Sequence, residues 1–408
     1  MHRTDEVSPP MSFEDMPESS RNSAESTPRR SLATRALQIV ALVLGSHAVS
    51  AQTPDWVTQA DDQFARAVAT QSTGASLVDQ SRVAWMLFAR VNQPQPYQGN
   101  TFTRWELWPS NDDTFSPAVG TFAAANKVRT RPHLQAPKVH ALLRSKNLLG
   151  TQVPVGGGEE VTRNLVSYNY LVSNKLNRAI PAWKRLSSGP NLNFPIGAIE
   201  IKADWFQGQI SGAYTNVDVD GTVYSLVGIH IMAKVAPTPS SPFFSEDPSW
   251  FWTTFEFKGN QGLANAQSLL TYKDMLPRTE ALQILTQAGL ASGPFANYLC
   301  NGTQIRFSDA KNPKILLGNT TMETFAHSPT NANPAVWKSW NISCHTCHGS
   351  SSANGLVSTN SNNNPVGGNL NINPWFLNDI ASVVGPIPPS EVNGYKPFDF
   401  VWSLWFAK

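Results

Sequence analysis

The stretch Ile199-Glu200-Ile201-Lys202-Ala203-Asp204-Trp205 alternates apolar and charged side chains with a period of two. That alternation puts Ile199, Ile201, Ala203 and Trp205 on one face of an extended strand and Glu200, Lys202 and Asp204 on the other. Residues 222–235 repeat the period, with Val223, Val227, Ile229 and Ile231 opposite Tyr224, Leu226, His230, Met232 and Lys234. A third run, Trp250 to Phe257, follows a Pro-rich loop. Period-two runs bounded by Gly, Pro and Asp predict an antiparallel sheet. The closing stretch Phe398-Asp399-Phe400-Val401-Trp402-Ser403-Leu404 predicts one more strand.

Upstream the texture differs. From Asp55 to about Asn92 the apolar positions Phe64, Val68, Val78, Val83, Trp85, Met86 and Phe88 follow a helical pattern, and Trp105, Leu107, Trp108 and Phe115 lie in an irregular Pro- and Asn-punctuated stretch. Residues 138–150 and 161–178 can each hold a helix, separated by Gly156-Gly157-Gly158. A mixed segment over 261–340 begins with a helix, and 349–374 reads as a Ser/Asn/Gly loop. The expected fold class is therefore α+β: an antiparallel β-rich domain over 186–408, preceded by a helical and irregular region over 52–185.

The chain has 408 residues, 41% hydrophobic and 15% charged, with 13 Trp and 20 Phe to fill a core. That aromatic content argues against general disorder. Thirty-one Lys and Arg against 29 Asp and Glu leave a net charge of +2. A balance that flat argues against nucleic acid or an anionic membrane surface as the main partner. Three cysteines cannot form a disulfide framework, because one is always left over.

Residues 1–28 are polar and rich in Ser, Pro and Glu; Arg29, Arg30 and Arg35 then precede an apolar run from Ala36 to Leu44. Val49-Ser50-Ala51 resembles a small-residue cleavage site. The expectation is a signal peptide over 1–51 cleaved after Ala51, and a periplasmic or secreted mature protein. A short anchor or a core helix is the other reading, but the run is too short to span a bilayer. Nothing later in the chain offers a transmembrane run, so no integral membrane segment is expected in the mature protein.

Cys344-His345-Thr346-Cys347-His348 has the spacing by which c-type haem is attached. Two thiols three positions apart can reach the two vinyl groups of one haem, and the histidine that follows lies beneath the iron as proximal ligand. The expected cofactor is one covalent haem c, with Cys344 and Cys347 as anchors and His348 on the iron. A CxxC disulfide or thiol redox pair is the main alternative, and a zinc site a weaker one, because no second CxxC or HxxxH follows. Cys300 reads as a buried small hydrophobe.

From Gly349 to Lys408 there is neither Met nor His, so a second axial ligand has to come from upstream or the position is open. The candidates are His230, Met232, Met322, His327, His133 and His140. His230 and Met322 lead as possible distal ligands. His230 and Lys202 lead as distal-pocket groups.

Phe194-Pro195-Ile196-Gly197-Ala198-Ile199-Glu200-Ile201-Lys202 resembles a strand of the cytochrome P-460 and cytochrome c′-beta group, as does Gly228-Ile229-His230-Ile231-Met232-Ala233-Lys234 followed by Trp250-Phe251-Trp252-Thr253-Thr254-Phe255. In that group the same order leads to a late CxxCH and a short ending to which Asp399-Phe400-Val401-Trp402 is similar. The resemblance implies that Lys202 occupies the position of a lysine cross-linked to the haem edge. It also implies that His230 stands where the group has a distal carboxylate. An imidazole there can ligate iron directly or shuttle protons near neutral pH. Trp105-Glu106-Leu107-Trp108 and Leu316-Leu317-Gly318-Asn319-Thr320 resemble motifs of a larger set of exported bacterial monohaem c-type cytochromes, a likeness that implies no particular activity.

The sequence thus leads to an exported monohaem protein performing one-electron transfer or small-molecule redox chemistry, a haem oxidoreductase if it is an enzyme, with an unidentified redox partner. The alternative is an exported β-sandwich binding module with a structural or thiol-redox CxxC and no haem.

Overall fold

The computed structural model describes residues 76–97, 99–115, 158–218, 221–238, 249–260, 273–306, 317–322, 343–356, 370–373 and 389–407. The chain divides into two units, Met1–Gln52 and Thr53–Lys408, and all described residues belong to the second. The expected signal segment therefore lies outside the described residues, as do His133, His140 and His327.

In chain order the elements are helix α1 (Leu77–Val91), hairpin strands β1 (Pro94–Tyr97) and β2 (Asn100–Thr103), helix α2 (Asn111–Phe115) and strand β3 (Gly158–Arg163). Helices α3 (Leu165–Ser173) and α4 (Ala179–Ser188) follow, then strands β4 (Ile199–Gln207), β5 (Thr215–Val217), β6 (Val223–Lys234) and β7 (Trp250–Phe257). The rest comprises helix α5 (Arg278–Gln287), strand β8 (Tyr298–Gln304), helix α6 (Cys344–Gly349) and short strands β9 (Ser352–Leu356), β10 (Leu370–Ile372) and β11 (Lys396–Pro397). The α+β class is as the sequence indicates.

The centre is a six-stranded antiparallel sheet in the order β3-β4-β6-β7-β8, with β5 also paired to β6. Its three central strands are the three that the period-two pattern marks. The edge strand β3 comes from the region read as helical, so sequence on both sides of residue 185 builds one sheet. The helix expected over 161–178 starts only at Leu165. There Asn164 caps it, its Oδ1 accepting from the backbone N–H groups of Ser167 (3.1 Å) and Ile199 (3.0 Å).

One sheet face is apolar. Ile201, Ala203, Trp205, Ile229, Ile231, Phe251 and Phe255 pack against Val83, Ala84, Leu87 and Phe88 of α1 and Ala281 and Leu285 of α5. Phe88 stacks on Phe255 with ring centroids 4.1 Å apart, and Trp85 meets the same ring edge-on at 4.9 Å. Each such side chain stabilises the fold by ~1.5–3 kcal/mol through burial. Helix α1 begins at Ser76, whose hydroxyl accepts from the Asp79 N–H. Asp79 in the first turn and Arg90 in the last suit the helix dipole.

The other face carries Glu200, Lys202 and Asp204 of β4, aligned with Met232, His230 and Gly228 of β6, and these with Trp252, Thr254 and Glu256 of β7. Tyr224 and Leu226 do not join it, contrary to the sequence reading. The register shifts from Asp204↔Gly228 to Trp205↔Leu226, so Val227 is an extra residue and everything before it on β6 changes face. Tyr224 and Leu226 accordingly lie in the apolar core with Ile229.

Two other expectations are corrected. The 349–374 loop contains β9 and β10, which pair with each other, while β11 pairs with β9. The closing segment is not a strand: Asp399 and Phe400 take φ of 54° and 66°, and Trp402–Phe406 forms a 3₁₀ turn. Two successive left-handed residues reverse the chain and end any strand pairing.

Candidate functional site

Helix α6 is the CxxCH motif itself. Its N-terminus is capped by Ser343, whose hydroxyl accepts from the Thr346 N–H at 3.1 Å. Gln304, the last residue of β8, holds that end to the sheet. Its Nε2 donates to Ser343 Oγ (2.8 Å), and its Oε1 accepts from the His345 N–H (3.2 Å). Trp402 Nε1 donates to the Cys347 carbonyl at 2.9 Å, and Cys344 Sγ lies 3.6 Å from the Leu317 carbonyl. The helix is therefore fixed at both ends.

On one helix, residues i, i+3 and i+4 share a face, so Cys344, Cys347 and His348 project together. Cys344 is buried and Cys347 partly exposed, and neither is in a disulfide. The His348 ring lies 4.2 Å from the Trp252 ring, tilted by 50°. Its Nδ1 is 2.9 Å from the Phe400 carbonyl oxygen. A carbonyl only accepts, so Nδ1 carries the proton and the Nε2 lone pair is left for a ligand. Burial drives the His348 pKa down to about 3; the Phe400 hydrogen bond opposes this, and the charges of Lys202, His230 and His345 add to it. The imidazole is thus neutral, the form that binds metal, across the physiological range.

Trp252, on which His348 packs, is the cross-strand partner of Met232, two residues along β6 from His230. Lys202 and His230 are direct cross-strand partners, flanked by Val161 of β3 and Thr254 of β7. Val161, Lys202 and His230 are all partly exposed, in a sheet whose central strands are otherwise covered except near their ends. This half-open row lies one same-face cross-strand pair along the sheet from the Met232–Trp252 pair on which His348 packs. Lys202 pairs with Glu159 of β3 at 2.7 Å. Asp204 has its carboxyl raised to about 7, chiefly by burial and then by the charge of Glu159, against the Thr321 hydrogen bond and Lys202.

Met232 is buried among the residues around Trp250 and Trp252, a packing role. Met322 is buried in the stretch 317–322, which lies across the sheet over Gly228, Thr254 and Glu256. Asn319 of that segment donates to Thr254 Oγ1 at 2.9 Å, and the Thr320 N–H donates to Glu256 at 2.6 Å. Gly228 permits this approach: a Cβ there would stand 2.8 Å from Asn319 Nδ2 and from Thr321 Oγ1. Cys300 is buried in the apolar core on the opposite face, 3.6 Å from Thr253 Oγ1, as its bystander reading implies.

The structure therefore joins Cys344, Cys347 and His348 to Lys202 and His230 in one region. It adds residues that the sequence reading passed over, Gln304 as the helix clamp and the Phe400 carbonyl, and it places Trp252, read from the sequence as packing the sheet, against the imidazole. No periodicity marks these, since each acts through a contact distant in sequence. Among the described residues, no group of three His, Cys, Asp or Glu side chains is arranged to hold a metal ion, and no helix is long and apolar enough to cross a membrane. A haem iron needs one protein ligand, which His348 can supply. No known protein family, curated protein or solved structure matches the chain.

Proposed function

We propose that the protein is an exported monohaem c-type cytochrome in which Cys344 and Cys347 bond the haem and His348 Nε2 binds its iron. The observation that carries this reading is the 2.9 Å contact from His348 Nδ1 to the Phe400 carbonyl. Metal-bound histidines typically donate their second ring N–H in this way, which fixes the tautomer and orients the ring. When bound, the haem supplies one-electron Fe(III)/Fe(II) chemistry.

The chain's own residues do the rest. Gln304 and Trp402 hold the thiol-bearing turn. Trp252 excludes water from one side of His348 and restricts its rotation. The half-open Val161–Lys202–His230 row gives a small molecule a route to this region, with an ammonium and an imidazole to bind it or move its protons. That opening favours small-molecule redox chemistry over simple electron carriage. The near-neutral charge suits a neutral substrate and a redox partner that is not strongly charged.

The test is acid-acetone extraction of the protein after periplasmic expression. Wild type is expected to retain its haem colour in the protein pellet, and Cys344→Ser/Cys347→Ser is expected to release it or never acquire it. Equal extraction from both proteins would contradict covalent attachment.

A further inference from the structure

We propose that Lys234 and Asp399 form a buried positioning pair that fixes the Phe400 carbonyl, and through it sets how strongly His348 donates to the iron. The proposal rests on the haem reading above and concerns residues that it does not use.

The carbonyl that accepts from His348 belongs to an unusual stretch of backbone. Asp399 and Phe400 are consecutive non-glycine residues with positive φ, a conformation that L side chains adopt only when their surroundings impose it. The surroundings are visible. The Asp399 carboxylate is fully buried and takes the Lys234 ammonium at 2.8 and 2.9 Å, the Phe194 N–H at 2.5 Å and Trp250 Nε1 at 3.3 Å, together with the Thr238 hydroxyl. Lys234 is itself fully buried, its Nζ 5.2 Å from the centre of the Trp250 ring. It also ends β6, the strand that carries His230 and Met232, where it pairs with Trp250. The turn at 399–400 is thus tied to the central sheet by a charge pair with no access to water.

A buried pair of this kind is a poor device for stability alone. Two apolar side chains of similar volume serve as well or better. What the pair adds here is direction: Asp399 is anchored from four sides, and the next residue aims its carbonyl at His348 Nδ1. The Phe400 ring packs 4.8 Å from His345, inside the CxxCH helix, so the turn is registered against that helix as well. A well-aimed acceptor at Nδ1 increases the basicity of Nε2, and a more basic axial nitrogen stabilises the ferric state. Loss of the pair lets the turn relax, weakens the Nδ1–H bond and moves the potential upward.

The experiment uses the haem-loaded protein, with chemical unfolding, the reduction potential and the ferrous iron–histidine stretching band all measured. Lys234→Met/Asp399→Asn removes both charges together, and because asparagine tolerates positive φ and keeps one acceptor oxygen for the surrounding donors the variant is expected to fold. Its potential is expected to shift upward and its iron–histidine band to lower frequency. A purely structural pair would leave both where they are in the folded double variant, and that result overturns the proposal. Should the double variant fail to fold, Lys234→Arg supplies the same test, because it keeps the buried charge pair while its bulkier planar fork displaces the Asp399 carboxylate. An upward shift there supports the proposal, and an unmoved potential and band overturn it. A wild-type protein whose spectrum shows no haem contradicts the haem assignment, and this proposal with it. A haem-loaded protein with unmoved potentials contradicts only the positioning role.

Discussion

Exchange of Lys234 for methionine, with Asp399 kept, is expected to destabilise the folded protein by about 3–5 kcal/mol. The side chain is fully buried and its ammonium is the counter-charge of an equally buried carboxylate. Methionine has nearly the same length and fills the same space, so the loss is electrostatic and not a cavity. It leaves Asp399 with only neutral donors: the Phe194 N–H, Trp250 Nε1 and the Thr238 hydroxyl. Denaturant unfolding of wild type, Lys234→Met and Lys234→Met/Asp399→Asn measures this. The single variant is expected to lose several kcal/mol, and the double variant to recover part of it. Equal stability of the single variant and wild type would mean that the pair is solvated, contrary to its burial.

The second large effect is expected at Asp204, as a pH dependence of stability. Its carboxyl is raised from 3.8 to about 7 in the folded protein. The folded state therefore keeps a proton that the unfolded chain has already released between these two values. Stability contributed by the protonated group is complete below about pH 4 and falls as the pH rises toward 7. An asparagine side chain at this position is neutral throughout and can still accept from Thr321. Asp204→Asn is thus expected to match wild type below pH 4 and to exceed it on the order of 4 kcal/mol above pH 7, from a shift of about three units at 1.36 kcal/mol each. Urea midpoints of the two proteins from pH 4 to pH 8 check this. Parallel curves would show that Asp204 is ionised in the folded state throughout.

The core of the fold was legible because β4, β6 and β7 each bury one face completely, and a buried face imposes its period on the sequence. The Cys344–His348 motif was legible from its spacing alone, but the helix it forms was not read from the sequence. The parts that escaped are set by distant partners. Gly158-Glu159-Glu160-Val161-Thr162-Arg163 has no strand pattern of its own and becomes one by pairing with β4. Tyr224 and Leu226 change face through the extra residue Val227, whose one local signal is the in-strand Gly228 beside it. Phe398–Leu404 alternates like a strand, yet Asp399 turns it because its carboxylate is drawn to Lys234, 165 positions away. The contact that supports His348 depends on this departure. A strand at 398–404 would have left the Phe400 carbonyl to a neighbouring strand and not to the imidazole.

The central claim is that this chain carries one covalent haem. The most direct measurement is the intact mass of the wild-type protein after export with a c-type haem-attachment system, taken with its pyridine haemochrome spectrum. The account predicts a mature chain heavier by one haem, with the haemochrome band of a haem whose two vinyl groups are both saturated by thioether bonds. A mature chain at its polypeptide mass, with no haemochrome band, would contradict it.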